Sequence, residues 1–282
     1  MIAITGATGQ LGQLVIEHLL KTVPADQLVA VVRHPAKAEA LSQQGIHVRQ
    51  GDYTDQTTLT TALQGVEKLL LISSSEVGQR EAQHQNVINA AKAAGVKFIA
   101  YTSLLHADHS PLGLHVEHVA TENALAASGI PYALLRNGWY TENYLASVPP
   151  ALEHGVFIGA AGEGKIAAAP RADYAAAAAH VIASEGHSGK VYELAGDNAW
   201  TLSDLVAELS RQSGKTVSYQ NLSEADFAAA LKSVGLPAGL ADMLADSDAG
   251  AAKGGLFDDS HTLSQLIGRP TTPLAESIKA IL

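Results

Sequence analysis

Three glycines stand three residues apart near the start of the chain, in Thr5-Gly6-Ala7-Thr8-Gly9-Gln10-Leu11-Gly12. They follow an apolar run, Ile2-Ala3-Ile4, and precede Leu11, Leu14, Val15, Leu19 and Leu20, which are spaced for a helix face. Strand, tight turn and helix start therefore follow one another directly. A helix start offers unpaired N–H groups and the positive end of its dipole, so a phosphate is stabilised there. Glycine is needed because a Cβ would hold the ligand off the backbone. On this reading Gly6 makes the turn, Gly9 admits a pyrophosphate and Gly12 lets the helix pack on its strand, while Thr8, Gln10 and Leu11 complete the contacting loop.

A second apolar strand, Leu28–Val32, completes a βαβ unit and ends in Arg33-His34-Pro35, with Lys37 just beyond. A carboxylate at that tip would bond the ribose 2′-OH of NAD. Arg33 instead presents a planar fork suited to the 2′-phosphate of NADP, so NADPH is the expected cofactor. Ser73, Ser74 and Ser75 follow the apolar run Lys68–Ile72, at a strand's carboxyl end where ligands of open α/β sheets bind. Asp52, after a third strand, suits a backbone-bonding turn or a helix cap. His118 and Glu122 lie four apart on a helical stretch. They read either as a hydrogen-bonded pair whose carboxylate raises the imidazole pKa, giving a proton donor near neutral pH, or as a surface pair. His106, His109, His115 and His118 do not have the spacing of a zinc site.

The G-x-x-G-x-x-G spacing resembles the loop of extended and atypical short-chain dehydrogenase/reductases. Ser103 matches that superfamily's serine, but His118 and Glu122 replace its Tyr-x-x-x-Lys pair. Arg136-Asn137-Gly138-Trp139-Tyr140-Thr141-Glu142-Asn143 resembles R-x-G-x-[FWY]-x-E-N, and the end, Gly268-Arg269-Pro270-Thr271-Thr272, resembles a closing G-R-x-P-T pattern. Together these features resemble the NmrA-like branch, and within it the quinone reductases. The resemblance implies that Asp52 lies beside the adenine, that Asn137, Gly138, Trp139 and Tyr140 line the nicotinamide, that Tyr140 and Asn143 face the substrate with His118 as acid, and that Arg171 returns to the cofactor.

The elements that must position these groups are strands and helices in alternation, which predicts an α/β fold with a doubly wound parallel Rossmann sheet. The NADP-binding domain is expected over 1–150, with segments near 155–195 returning to it, and a small mixed α/β C-terminal lobe over 196–282. Helices are expected at 81–94 and 224–234, Asp173 is expected to cap an alanine-rich helix, and a Gly-, Asp- and Ser-rich stretch runs over 237–259.

Across the 282 residues, 28 acidic against 18 basic side chains give a formal charge of −10, the wrong sign for a nucleic-acid surface. Cysteine is absent, no apolar run approaches the ~20 residues of a membrane span, and a reducing cytoplasm fits this composition. A homodimer is compatible with the sequence. The resemblance implies hydride transfer from NADPH to a quinone. An alternative of another class is an NADP(H)-sensing regulator without catalysis, which the missing Tyr-x-x-x-Lys suits equally well. Reduction of aromatic ethers fits less, because those relatives keep a lysine that this chain lacks.

Overall fold

β1 (Ile2–Thr5) is short, apolar and almost wholly buried, as a strand covered on both faces must be. It leads into α1 (Gln10–Leu19), then β2 (Leu28–Val32), α2 (Glu39–Gln43), β3 (His47–Gln50), α3 (Gln56–Ala62), β4 (Lys68–Leu71), α4 (Arg80–Ala94), β5 (Phe98–Leu104), α5 (His115–Ser128) and β6 (Tyr132–Asn137). The chain continues through α6 (Thr141–Leu145), α7 (Val148–His154), β7 (Val156–Gly159), α8 (Arg171–Ala183), β8 (Val191–Leu194), α9 (Leu202–Ser213), β9 (Ser218–Asn221), α10 (Glu224–Ser233), α11 (Ala238–Ala252), α12 (Thr262–Ile267) and α13 (Leu274–Lys279). This computed structural model describes residues 1–282.

Seven strands form one sheet in the order β3-β2-β1-β4-β5-β6-β8. The pairings among β1 to β6 are all parallel, with Ile4 beside Ala30 on one side and beside Leu70 on the other. The chain winds outward from β1 to β3, then crosses back to start β4 on the other side of β1. The strand order therefore reverses at β1, and a crevice opens at its carboxyl end, which is where such sheets bind ligands. Leu69, Ile99, Val87, Ile88 and Leu134 fill the core on one face, while α8 packs along α1.

Packing divides the chain into two compact units. The first comprises Met1–Ala107, Val116–Asn137 and Arg171–Tyr192, and the second Asp108–His115, Gly138–Pro170 and Glu193–Leu282. Neither is a continuous piece of chain.

In the second unit, β7 and β9 pair in parallel. α9 begins with a reciprocal cap between Thr201 and Asp204. α11 falls on the Gly-, Asp- and Ser-rich stretch 237–259, to which the sequence reading assigns no element. Ala241, Ala245 and Asp248 share its buried face, and Gly250 leaves room for Leu112, whose Cδ1 would lie 2.7 Å from an added Cβ. The Asp248 carboxylate that makes this stretch look polar is itself buried. It accepts hydrogen bonds from the Ala160 amide (2.8 Å) and the Tyr144 hydroxyl (3.1 Å), and burial raises its pKa.

Two smaller corrections concern element ends. Asp173 is the third residue of α8 and fully buried, not its N-cap. Ser103 and Arg136 lie inside β5 and β6, which extend further than their apolar runs.

Candidate active site

Gly6 has φ +60°, a left-handed conformation that glycine adopts without strain, and its carbonyl accepts a 2.9 Å hydrogen bond from the Gly9 amide. A Cβ on Gly9 would meet that carbonyl oxygen at 3.1 Å. One on Gly12 would press into the same oxygen and reach the Ala7 Cα at 2.8 Å. Gly12 is thus the contact that seats α1 on the end of β1. The helix begins without a side-chain cap and without an acid in its first turn, so its first N–H groups face outward unclaimed by any side chain. The Gln13 side-chain Nε2 donates to the Thr8 carbonyl (2.8 Å) and ties the loop to the helix. Together these residues make a loop at the switch point of the sheet whose geometry could hold an anion.

Arg33, Asp52, Ser73 to Ser75 and Asn137 stand at or just beyond the carboxyl ends of parallel strands, and so at the same edge of the sheet. Arg33 follows β2, and its exposed guanidinium pairs with Glu76 at 3.1 Å. Lys37 lies on the exposed one-turn 3-10 segment beyond it. Asp52 accepts from the Thr54 amide (2.8 Å) and hydroxyl (2.7 Å), and these bonds hold its carboxyl below the usual range.

Ser73 and Ser74 are fixed through their backbones. The Ser73 amide donates to the Thr102 hydroxyl (2.8 Å) and the Ser74 amide to His84 Nε2 (2.9 Å), while the Ser74 carbonyl accepts from Arg80 Nε (2.5 Å). Ser75, with its small side chain, follows in the same loop.

Asn137 ends β6. It is buried, and its Oδ1 has no hydrogen-bond partner. An orphaned buried acceptor costs about 1–3 kcal/mol, which makes Asn137 a candidate contact for a ligand donor at the end of β6. Arg171 opens α8 in this same unit.

The His118–Glu122 pairing does not form. Glu122 accepts instead from Ser103 Oγ (2.6 Å), Arg136 Nε (2.9 Å) and Arg136 Nη2 (2.7 Å), a buried bidentate ion pair that uses the serine's only proton. His118 turns the other way. Its Nδ1 lies 2.8 Å from the Tyr101 hydroxyl and its Nε2 3.5 Å from Arg80 Nη1.

Burial, and then the Arg80 charge, push the His118 pKa well below its ordinary value, the reverse of the expected rise. Tyr101 is wholly buried, and burial raises its pKa against the opposing pull of the Arg80 charge. Next to it, Thr121 Oγ1 donates to the Glu117 carbonyl (3.0 Å). It must therefore accept from His84 Nδ1 (2.9 Å), which leaves His84 Nε2 as the acceptor for Ser74. His84 is thus neutral in a fixed tautomer, its pKa depressed to about 3. Arg80, His84 and Tyr101 escaped the sequence reading. The only signal was a polar patch, Arg80 and Gln83-His84, at the start of a helix bound for the interior.

The segment after Asn137 belongs to the second unit. The Gly138 amide donates to the Leu194 carbonyl (2.7 Å), Trp139 is buried, and the half-buried Tyr140 pairs across to Ala169 and precedes α6, which carries the half-buried Asn143.

The model of the NmrA-like family matches residues 1–275. Quinone oxidoreductase 2 of Escherichia coli (strain K12) is 79% identical over 278 residues, covering 99% of this chain and 97% of that one. The crystal structure of the NADPH-dependent quinone oxidoreductase of Escherichia coli in complex with NADPH superposes with a TM-score of 0.98 at 78% identity, over 100% of this chain and 99% of that one. The triphenylmethane reductase of Citrobacter sp. with NADP(H) gives 0.94 at 42% identity, over the full length of both. The glycine spacing, the Rossmann sheet and the replaced Tyr-x-x-x-Lys pair are thus accompanied by a full-length match, and the chain belongs to the NmrA-like family.

Proposed function

We propose that this protein is an NADPH-dependent quinone oxidoreductase, working in the reducing cytoplasm that its cysteine-free composition suits. The observation that carries the reading is that Ser103 and His118, which stand where the superfamily's serine and tyrosine would act, are both turned to partners in the interior. The Ser103 proton is held by Glu122, and His118 and Tyr101 face one another in the interior. Such a site has no prepositioned proton for an alkoxide, which a simple carbonyl reduction would create. A quinone makes no such demand, because its reduced oxyanion is delocalised and weakly basic, and water suffices to protonate it.

When bound, NADPH supplies the hydride. The residues present fit it. The cradle of Gly6, Gly9 and Gly12 takes the pyrophosphate, with Thr8, Gln10 and Leu11 beside it. Arg33 and Lys37 take the 2′-phosphate, and Asp52 lies on the adenine side. Ser73, Ser74 and Ser75 border the path between, and Asn137 Oδ1 accepts from the nicotinamide carboxamide, which is the donor that atom lacks. Gly138, Trp139 and Arg171 are further cofactor contacts, and Tyr140 and Asn143 contact the substrate ring. Rate enhancement then comes from orientation of the two rings.

The test of the Asn137 assignment is Asn137→Leu, which should weaken NADPH binding by about tenfold, the worth of one good hydrogen bond. Unchanged affinity would remove Asn137 from the site.

A further inference from the structure

Arg33 is held, in this structure, by a carboxylate. Glu76 Oε1 lies 3.1 Å from Arg33 Nη1, and Glu76 Oε2 accepts from Gln83 Nε2 at 2.7 Å. Gln83 is buried in the first turn of α4, and its other amide atom, Oε1, has no partner, so the whole orientation of this amide is set by its bond to Glu76. The Glu76 amide in turn donates to Ser74 Oγ (3.1 Å), within the loop whose backbone Arg80 and His84 clamp. Glu76 is therefore a fixed anion on a braced loop, aimed at the guanidinium assigned to the 2′-phosphate. Arg33 has only one fork to offer, and a phosphate dianion arriving at it meets the Glu76 charge within a few ångströms.

From this geometry we propose that Glu76 is a selectivity-setting residue for the cofactor: it occupies Arg33 in the free enzyme and competes with the 2′-phosphate for it, holding NADPH affinity below what Arg33 alone would give and leaving NADH untouched. The proposal rests on the reading of Arg33 as the 2′-phosphate contact. Glu76 touches neither ring, so its effect is confined to cofactors and fragments that carry that phosphate. The pair is exposed, with side chains 61% and 45% accessible, so the competition amounts to a small factor rather than a block.

The test is a double-mutant cycle on the whole protein, measuring dissociation constants for NADPH, NADH and the fragment 2′,5′-ADP by titration calorimetry. Glu76→Gln removes the charge and keeps an acceptor for Gln83. It should tighten NADPH and 2′,5′-ADP by roughly threefold to fivefold and leave NADH within about twofold. In the Arg33→Ala background the same change should give a clearly smaller gain, because only the direct repulsion between Glu76 and the phosphate remains. Glu76→Gln that leaves NADPH unchanged or weakens it would overturn the proposal while leaving the Arg33 reading intact. Arg33→Ala that weakens NADPH and NADH equally would overturn the phosphate reading itself, and this proposal with it.

Discussion

A histidine wedged between a guanidinium and a buried phenol is a poor place to add a positive charge, and this governs how His118 behaves. His118→Ala should cost about 2–4 kcal/mol of stability, since it opens a cavity and leaves the Tyr101 hydroxyl without its partner. Turnover of the folded variant should fall less than tenfold. A variant of unchanged urea midpoint with a larger loss of turnover would restore the histidine as an acid.

Glu122→Ala should cost more, about 3–5 kcal/mol, because it strands Arg136 in the interior. A loss below about 1 kcal/mol in denaturant titration would show that the pair is not structural.

The two neutral histidines also set a pH dependence. In the folded chain their pKa values lie below the ordinary 6.5, with His84 near 3, so below pH 6.5 the unfolded chain binds protons that the folded chain refuses. Their contribution to stability is complete above pH 6.5 and is lost progressively as pH falls toward the folded values. Each contributes a slope of up to about 1.4 kcal/mol per pH unit. Stability measured at pH 5 and pH 7 should differ less in His84→Asn than in the parent protein, and an unchanged difference would contradict the assignment.

At this scale the turn at Gly6 and the close packing at Gly12 were legible because they follow from neighbours in sequence. The fate of His118 was not. Spacing of four says only that two side chains are adjacent, and burial beside Arg80, Tyr101 and Arg136, residues distant along the chain, decided which way each one turned.

Between elements the critical junction is α1 on β1. Gly12→Ala must push the helix away from the Gly6 carbonyl and Ala7, and it should both destabilise the fold and weaken NADPH binding by more than about tenfold, as one displaced charge-assisted hydrogen bond would. A Gly12→Ala protein that binds NADPH normally would contradict the seating argument.

The strands and most helices were readable from apolar runs, since a parallel sheet buried on both faces leaves a continuous signature. α11 was not, because the face it buries is made of Ala241, Ala245 and Gly250 around a buried Asp248, and small residues with a carboxylate resemble loop composition. β5 and β6 ran past their apolar residues because the polar groups at their ends, Ser103 and Arg136, satisfy one another through Glu122. Asp173 failed as a cap for a related reason: in a buried helix start, its place among the first turn cannot be fixed by residue type alone.

For the molecule as a whole, strand–helix alternation made the Rossmann sheet legible, and the missing Tyr-x-x-x-Lys pointed toward chemistry without an internal acid. A returning segment was expected near 155–195, but nothing local marks Gly138–Pro170 as grouping with the C-terminal residues. No helix is long and apolar enough to cross a membrane.

A ligand that binds only the folded chain stabilises all of it. NADPH at about 100 times its dissociation constant should add about 2.7 kcal/mol, seen as a rise in the thermal midpoint, and NADH at the same concentration should add less. Equal shifts would contradict the preference assigned to Arg33.

The most direct measurement is oxidation of NADPH by the purified protein, followed by loss of the reduced nicotinamide absorbance, with and without a simple benzoquinone and beside an NADH control. The account predicts turnover that requires both protein and quinone and is faster with NADPH. Tight NADPH binding without turnover on any quinone would contradict it and make a nucleotide-sensing role the better account.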